Sequence, residues 1–212
     1  MALNIRNKVR GGSEHFAHFY QSDVSISNLV SKYIVEGLNA NETCIVAATP
    51  EHLRVIEPGI AASYPELEDR RRSGSYITVD PADMLSNVLV DGLPDRKKFF
   101  EVCGEFVKTA MERGNGVRMF GEGTAVLWAA GKYEAAIRLE ELWNELTDQH
   151  LFSLFCAFPM NVFVNLPTSL KAIHACGDPS HAEPQEKAGR FASADERLRE
   201  VFRVHHVAPQ SL

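Results

Sequence analysis

Short apolar runs alternate along the chain with segments of helical periodicity, and this alternation constrains the fold most. Residues 43–49 form an almost unbroken run of small and β-branched side chains, and further runs follow at 76–79, 117–120 and 152–158. Strands that are apolar on both faces are typical of a parallel sheet covered by helices on each side. The sequence therefore predicts a three-layer α/β/α domain with a mainly parallel sheet.

The segments between these runs predict helices. Apolar side chains recur at helical spacing in residues 22–38, 95–113 and 132–149. Thr49-Pro50 and Asp80-Pro81 predict helix starts, because proline loses no hydrogen bond at the first helical position and the preceding side chain can cap the free amides. Helices therefore follow the runs at 43–49 and 76–79 directly.

The length of 212 residues and a hydrophobic content of 45% fit one domain with a tail. Glycine and proline punctuate the chain beyond Pro167, while a capping box at 193–196 predicts a short helix near 193–204. We expect an N-terminal segment over 1–13, an α/β domain over 14–167 and a tail over 168–212.

Charge and composition limit the partners and the compartment. The net charge of −6 provides no basic surface for nucleic acid, so direct nucleic-acid binding is not expected. No apolar run has the length of a membrane span, and the N-terminus has no signal-peptide pattern. Four cysteines without a C-x-x-C pair fit reduced thiols, and Cys44, Cys103 and Cys156 are predicted to be buried. We expect a cytoplasmic protein without membrane contact.

The carboxyl ends of parallel strands are where ligands of such folds bind. A nucleotide hydrolase has a glycine-rich loop with a lysine after its first strand. We take the run at 43–49 as that strand, and it continues as Ala48-Thr49-Pro50-Glu51-His52-Leu53-Arg54, without glycine or lysine. Pro50 removes an amide donor and Glu51 adds negative charge, so phosphate binding at Thr49 is disfavoured.

Glu122 follows the run at 117–120, where such folds place an acid for a metal or a water. Without a phosphate loop, a ligand-facing or helix-capping role fits Glu122 better than a catalytic one. No nucleophile elbow or activated cysteine is present, so enzymatic chemistry is not expected. Trp128 lies at helical spacing with apolar neighbours and is predicted to belong to the core.

His15 and His18 have the i, i+3 spacing that presents two imidazoles to one metal if the segment is helical. His174, Cys176 and His181 add ligands only if the tail folds back. The alternative is an aromatic-rich segment that packs on the sheet with hydrogen-bonded histidines. We favour that alternative and expect neither a metal nor a cofactor.

Several stretches together resemble the MEDS family, the methanogen and methylotroph sensory domain. They are HFAHFYQSD at 15–23, the helix to Leu38, CIVAATP at 44–50, MFGEGTAVLW at 119–128, LEELWNEL at 139–146 and FSLFCAFP at 152–159. The resemblance covers roughly residues 14–165. It implies a RecA-like fold without a phosphate loop, and a sensory module for small organic compounds.

The resemblance also implies where to look for a site. Together with the strand-end rule it selects the candidate ligand-binding residues His15, His18, Tyr20, Thr49, Glu122 and Trp128. Because no output domain is recognised, we expect the chain to act through a partner, such as a histidine kinase or a transcription regulator. Two alternatives stay open: a protein-binding adaptor or homo-oligomer without a small ligand, and a degenerate nucleotide- or metal-binding protein.

Overall fold

The computed structural model describes residues 3–8, 14–20, 23–159 and 182–184. The strands are β1 (Leu3–Lys8), β2 (Glu14–Tyr20), β3 (Thr43–Ala47), β4 (Tyr76–Val79), β5 (Leu89–Val90), β6 (Leu93–Pro94), β7 (Val117–Gly121), β8 (Ser153–Pro159) and β9 (Ala182–Pro184). The helices are α1 (Asp23–Asn39), α2 (Pro50–Ser63), α3 (Leu67–Ser73), α4 (Pro81–Val88), α5 (Arg96–Phe99), α6 (Glu105–Met111), α7 (Gly123–Ala129) and α8 (Tyr133–Gln149). A π-helical segment, Phe100–Gly104, joins α5 to α6.

The main sheet has the strand order β4-β3-β7-β8-β2-β1-β9. Strands β4, β3, β7, β8 and β2 are parallel to their neighbours in this order, whereas β1 is antiparallel to both β2 and β9. Strands β5 and β6 form a separate small hairpin. The sheet is therefore mainly parallel, as the sequence predicts.

Two apolar layers cover the sheet, one on each face. The α1 face is covered by α1, α2 and α3, and its buried cluster includes Ile34, Ile56 and Phe155. The α8 face is covered by α4 to α8, and its cluster includes Leu142 and Leu154. The three-layer α/β/α architecture is thus confirmed, and both tryptophans are buried, as are all three of the cysteines predicted to be.

The two predicted helix starts have the expected caps. Thr49 precedes α2 in an extended conformation, and its hydroxyl accepts a hydrogen bond from His52 N–H at 3.4 Å. Asp80 Oδ1 accepts a hydrogen bond from Ala82 N–H at 2.8 Å at the start of α4. The predicted helix over 95–113 is instead interrupted by the π-helical segment, which widens one turn in its middle.

The segment 14–20 is a central strand of the sheet, so it is neither the helix that a shared metal would need nor the expected segment packed on the sheet. Strand β2 pairs in parallel with β8 over its whole length. Its aromatic residues favour a strand, but both faces are covered, so the sequence shows no alternation of polar and apolar residues. Because β2 is the first parallel strand, the first strand-to-helix corner lies between Tyr20 and Asp23 rather than at Thr49.

A phosphate loop after the first parallel strand would therefore lie at the corner between β2 and α1. The corner reads Tyr20-Gln21-Ser22-Asp23, again without glycine or lysine. Gln21 and Ser22 lie outside the described residues. Neither corner therefore carries the sequence pattern of a phosphate loop.

Only residues 182–184 of the predicted tail are described, as β9 beside β1. The predicted helix near 193–204 and the residues His174, Cys176 and His181 lie outside the described part of the chain. Among the helices that the structure describes, none combines the length and the apolar character needed to cross a bilayer.

Gly114 shows how tightly the loop between α6 and β7 packs against the segment that enters β3. A Cβ atom at Gly114 would lie 2.8 Å from the carbonyl oxygen of Asn41 and 2.9 Å from the amide nitrogen of Thr43. Both atoms are backbone, and Thr43 N–H donates to Gly116 O at 2.8 Å beside them. The contact therefore cannot be relieved by rotating a side chain.

We expect Gly114→Ala to lower the free energy of unfolding by about 1–3 kcal/mol through overpacking. Gly116→Ala is the matched control, because its Cβ would meet only the Glu42 side chain at 3.8 Å. Urea denaturation followed by circular dichroism measures both variants. Equal stabilities of the two variants would contradict the role assigned to Gly114.

Candidate ligand site at the carboxyl edge of the sheet

Strands β3 and β7 lie side by side and their following helices pass to opposite faces of the sheet. We call the region between these helices the crevice. Helix α2 follows β3 on the α1 face, because Ile56 and Ile60 belong to that apolar cluster. Helix α7 follows β7 on the α8 face, where Leu127 is buried. Such a topological switch point is where open α/β sheets bind ligands. Sheet topology therefore places a candidate site at the ends of β3 and β7.

Glu122 lies at this point and connects the two strand ends. Its side chain is only 4% exposed. One carboxylate oxygen accepts a hydrogen bond from Thr49 N–H at 3.0 Å, and the other lies 2.5 Å from His52 Nδ1. Glu122 N–H in turn donates to Ala47 O at 2.9 Å. The structure thus brings the candidates Thr49 and Glu122 into direct contact.

The carboxylate of Glu122 occupies the start of α2, where backbone amides lack helical partners. This end of a helix carries a partial positive charge and is where folds of this kind bind phosphate. An internal carboxylate already supplies the negative charge here. The Thr49 corner therefore disfavours an added anion more strongly than the local sequence indicates.

His52 is the more accessible partner in the pair. Its side chain is 23% exposed, against 4% for Glu122. The contact joins the Nδ1 atom of His52 to a carboxylate oxygen of Glu122. A molecule that approaches the pair meets the imidazole before the carboxylate.

The first turn of α7 adds a polar group close by. Glu122 makes no capping hydrogen bond to α7 through its side chain, which instead binds the amide of Thr49 at the start of α2. Thr124, two residues further along, is buried, and its hydroxyl has no hydrogen-bond partner among the described residues. A buried hydroxyl of this kind is available to a ligand.

The remaining candidates lie elsewhere in the fold. Tyr20 is buried at the carboxyl end of β2, which β8 separates from β7. His18 is on the α1 face, with its ring centroid 6.1 Å from that of Phe155. Trp128 is buried on the α8 face against Tyr133, with 4.9 Å between the ring centroids. The structure does not gather these three side chains around Glu122.

His15 and His18 lie on opposite faces of the sheet, because side chains three positions apart on a strand point to opposite sides. His15 faces α8, where its Nδ1 is 2.6 Å from Asn144 Oδ1. Its Nε2 lies 3.2 Å from Glu140 Oε2 and 3.4 Å from Cys156 Sγ. Burial, followed by the nearby Glu140, raises the pKa of the Cys156 thiol.

The cluster of His15, Glu140 and Cys156 has the donor atoms of a metal site. One ligand atom from each residue lies within 4.8 Å of the other two, and all three residues are buried. Nitrogen, oxygen and sulfur donors together suit a zinc-class ion. The two histidines considered as ligands of one metal are thus separated, and His15 meets different partners.

Five residues of these two sites are not among the candidates predicted from the sequence: His52, Thr124, Glu140, Asn144 and Cys156. His52 is the third residue of a helix whose cap, Thr49, is predicted. The sequence therefore also predicts that His52 lies close to Thr49. Glu140 is harder to predict as a site residue. It lies on the same helix face as the buried Ala136 and Thr147. An acid within such a buried stripe indicates a partner inside the protein.

An open groove of about 840 Å³ lies away from both clusters. The loop between β5 and β6 forms one side, and the start of α8 forms the other; its lining residues are Asp91, Gly92, Leu93, Gly131, Lys132, Tyr133, Glu134, Ala135 and Ile137. None of the six candidate residues lines this groove. The groove therefore lends no support to those candidates.

Fold and site together define a three-layer α/β/α domain in which a buried carboxylate joins two strand ends at the topological switch point. The chain belongs to the MEDS family, described as the methanogen/methylotroph, DcmR sensory domain, whose profile matches residues 14–206. This is a family of sensory domains, so a sensory role is indicated. A search of curated proteins finds no match.

We expect Glu122→Gln to lower the free energy of unfolding by about 1–3 kcal/mol, because one of the two buried hydrogen bonds loses its acceptor. The control is Glu51→Gln, at a side chain that is 71% exposed, which we expect to change stability by less than about 0.5 kcal/mol. Chemical denaturation compares both variants with the wild type. A Glu122→Gln variant as stable as the control would show that the carboxylate does not hold the two strand ends.

Burial lowers the pKa of His18 to about 4 from its ordinary value of 6.5. Between these values the unfolded chain binds a proton that the folded chain does not, so His18 reduces stability as the pH falls from 6.5 towards 4. We expect His18→Gln to flatten the pH dependence of the unfolding free energy in this window. A slope in His18→Gln equal to that of the wild type would refute the prediction.

Proposed function

We propose that this chain is a sensory domain that binds a small organic molecule at the crevice between β3 and β7 and passes its occupancy to a signalling partner. The observation that carries this proposal is the position of Glu122. Its carboxylate joins two strand ends at the topological switch point and holds the first turn of α2. Family membership supports the sensory part of the proposal.

The chemistry of the crevice favours one class of ligand. Glu122 accepts hydrogen bonds and repels anions, while Thr124 supplies a hydroxyl that both donates and accepts. These groups fit an alcohol or an amine on a short carbon skeleton. A carboxylate or a phosphate ester would add negative charge beside a buried carboxylate, which is unfavourable.

Helix α2 offers a route from the crevice to the surface. A ligand that displaces His52 from Glu122 changes the contacts of the first turn of α2. Further along, α1 donates a hydrogen bond to α2, from Ser31 Oγ to Ile56 O at 3.0 Å. A shift of α2 therefore moves the α1–α2 layer, which we propose as the surface read by a histidine kinase or a transcription regulator.

Thermal unfolding with matched sets of compounds tests the ligand class. Each set presents one carbon skeleton as an alcohol, an amine and a carboxylate. We expect members of the alcohol or amine sets to raise the midpoint of unfolding and the carboxylates to leave it unchanged. A ligand at about 100 times its dissociation constant adds about 2.7 kcal/mol to stability.

The variants separate binding at Glu122 from nonspecific stabilisation. Glu122→Gln should lose the response, while the exposed control Glu51→Gln should keep it. The proposal fails if no alcohol or amine stabilises the wild type, or if ATP with magnesium binds at micromolar concentration. A chain that responds to no compound but self-associates in light scattering would instead support the adaptor or oligomer alternative.

A further inference from the structure

We propose that His15, Glu140 and Cys156 bind one zinc-class divalent metal ion that ties helix α8 to strands β2 and β8. This proposal is independent of the ligand crevice, because it rests on other residues, all facing the α8 side of the sheet. His15 comes from β2, Cys156 from the neighbouring strand β8, and Glu140 from the helix above them.

The distances fit coordination of a single ion. Ordinary zinc bond lengths at a tetrahedral angle separate a nitrogen and an oxygen ligand by about 3.4 Å, and a nitrogen and a sulfur ligand by about 3.6 Å. Here His15 Nε2 lies 3.2 Å from Glu140 Oε2 and 3.4 Å from Cys156 Sγ. These two distances therefore need to change by only a few tenths of an ångström, and the ligand atoms of Glu140 and Cys156 lie within 4.8 Å of each other.

Asn144 orients the imidazole as a metal ligand requires. Its side-chain oxygen lies 2.6 Å from His15 Nδ1, so it accepts the Nδ1–H proton and leaves the Nε2 lone pair facing Glu140 and Cys156. Asn144 lies one helical turn after Glu140 on α8. A single helix thus supplies both a ligand and the group that positions the histidine.

Charge balance favours the metal over an empty cluster. A neutral histidine, a carboxylate and a thiolate carry two negative charges, which a divalent cation neutralises. Binding is written as M²⁺ plus the thiol of Cys156 giving the metal thiolate and one released proton. Without the ion, a histidine and an acid at 0% exposure need a buried proton or a buried ion pair, which is costly to desolvate.

The ligand set is incomplete for a closed structural site. No fourth His, Cys, Asp or Glu joins the three within the part of the chain that the structure describes. The fourth tetrahedral position is therefore open to the second oxygen of Glu140. Because the ligands are fully buried, loading has to accompany folding.

Elemental analysis of the full-length chain, refolded with zinc and dialysed, tests the proposal first. We expect one zinc per chain in the wild type. Cobalt in place of zinc gives a second readout, because a thiolate ligand produces an intense near-ultraviolet charge-transfer band. A wild-type chain that takes up no stoichiometric metal, or a cobalt form without the thiolate band, overturns the proposal in favour of a buried His15–Glu140 pair.

Matched variants locate the metal. Cys156→Ser and His15→Gln should lose stoichiometric zinc, whereas Cys103→Ser and His18→Gln should retain it, since these controls are also buried but lie outside the cluster. Asn144→Ala should weaken zinc binding by about 10–100-fold, measured by chelator competition, and keep the thiolate band. Circular dichroism confirms that each variant is folded. Full zinc uptake by folded Cys156→Ser and His15→Gln would place the metal elsewhere and overturn the assignment.

Discussion

The central sheet is covered by helices on both faces, so a polar side chain on its inner strands cannot reach water. Leaving such a group without a partner costs about 1–3 kcal/mol. His15 accordingly meets Asn144 across the α8 face, and Glu122 meets the first turn of α2 at the edge of the sheet. Both clusters described above follow from this constraint, one in the middle of the domain and the other at the carboxyl edge.

The sequence predicts those elements of the fold that depend on interactions between residues close together in the chain. The strand in the run at 43–49 and the helix caps at Thr49 and Asp80 are predicted correctly, because a buried strand and a helix start each have a characteristic residue pattern. Strand β2 has no such pattern, because the six residues after Glu14 are apolar or aromatic except for two histidines. Strand order also has no local signature, so the neighbours of β2 emerge only from the structure.

The same distinction applies to the sites. Thr49 and Glu122 are each predictable as residues at strand ends, but they are 73 positions apart, and their contact requires β3 and β7 to be neighbours. Glu140 lies 125 positions after His15, and only its place within a buried stripe of α8 marks it in advance. Membership of the family is confirmed, while its RecA-like relationship and the ligand residues stay predictions.

Under the proposed function, a ligand at Glu122 has to compete with the contact between Glu122 and α2. His52 is attached to the same chain and is therefore present at a high effective concentration beside the carboxylate. A ligand that takes its place spends part of its binding energy on displacing it, which raises the apparent dissociation constant. In the proposed sensor, the pair would thus set a threshold: weak or scarce compounds would leave His52 on Glu122, and the strength of one hydrogen bond would decide which compounds displace it.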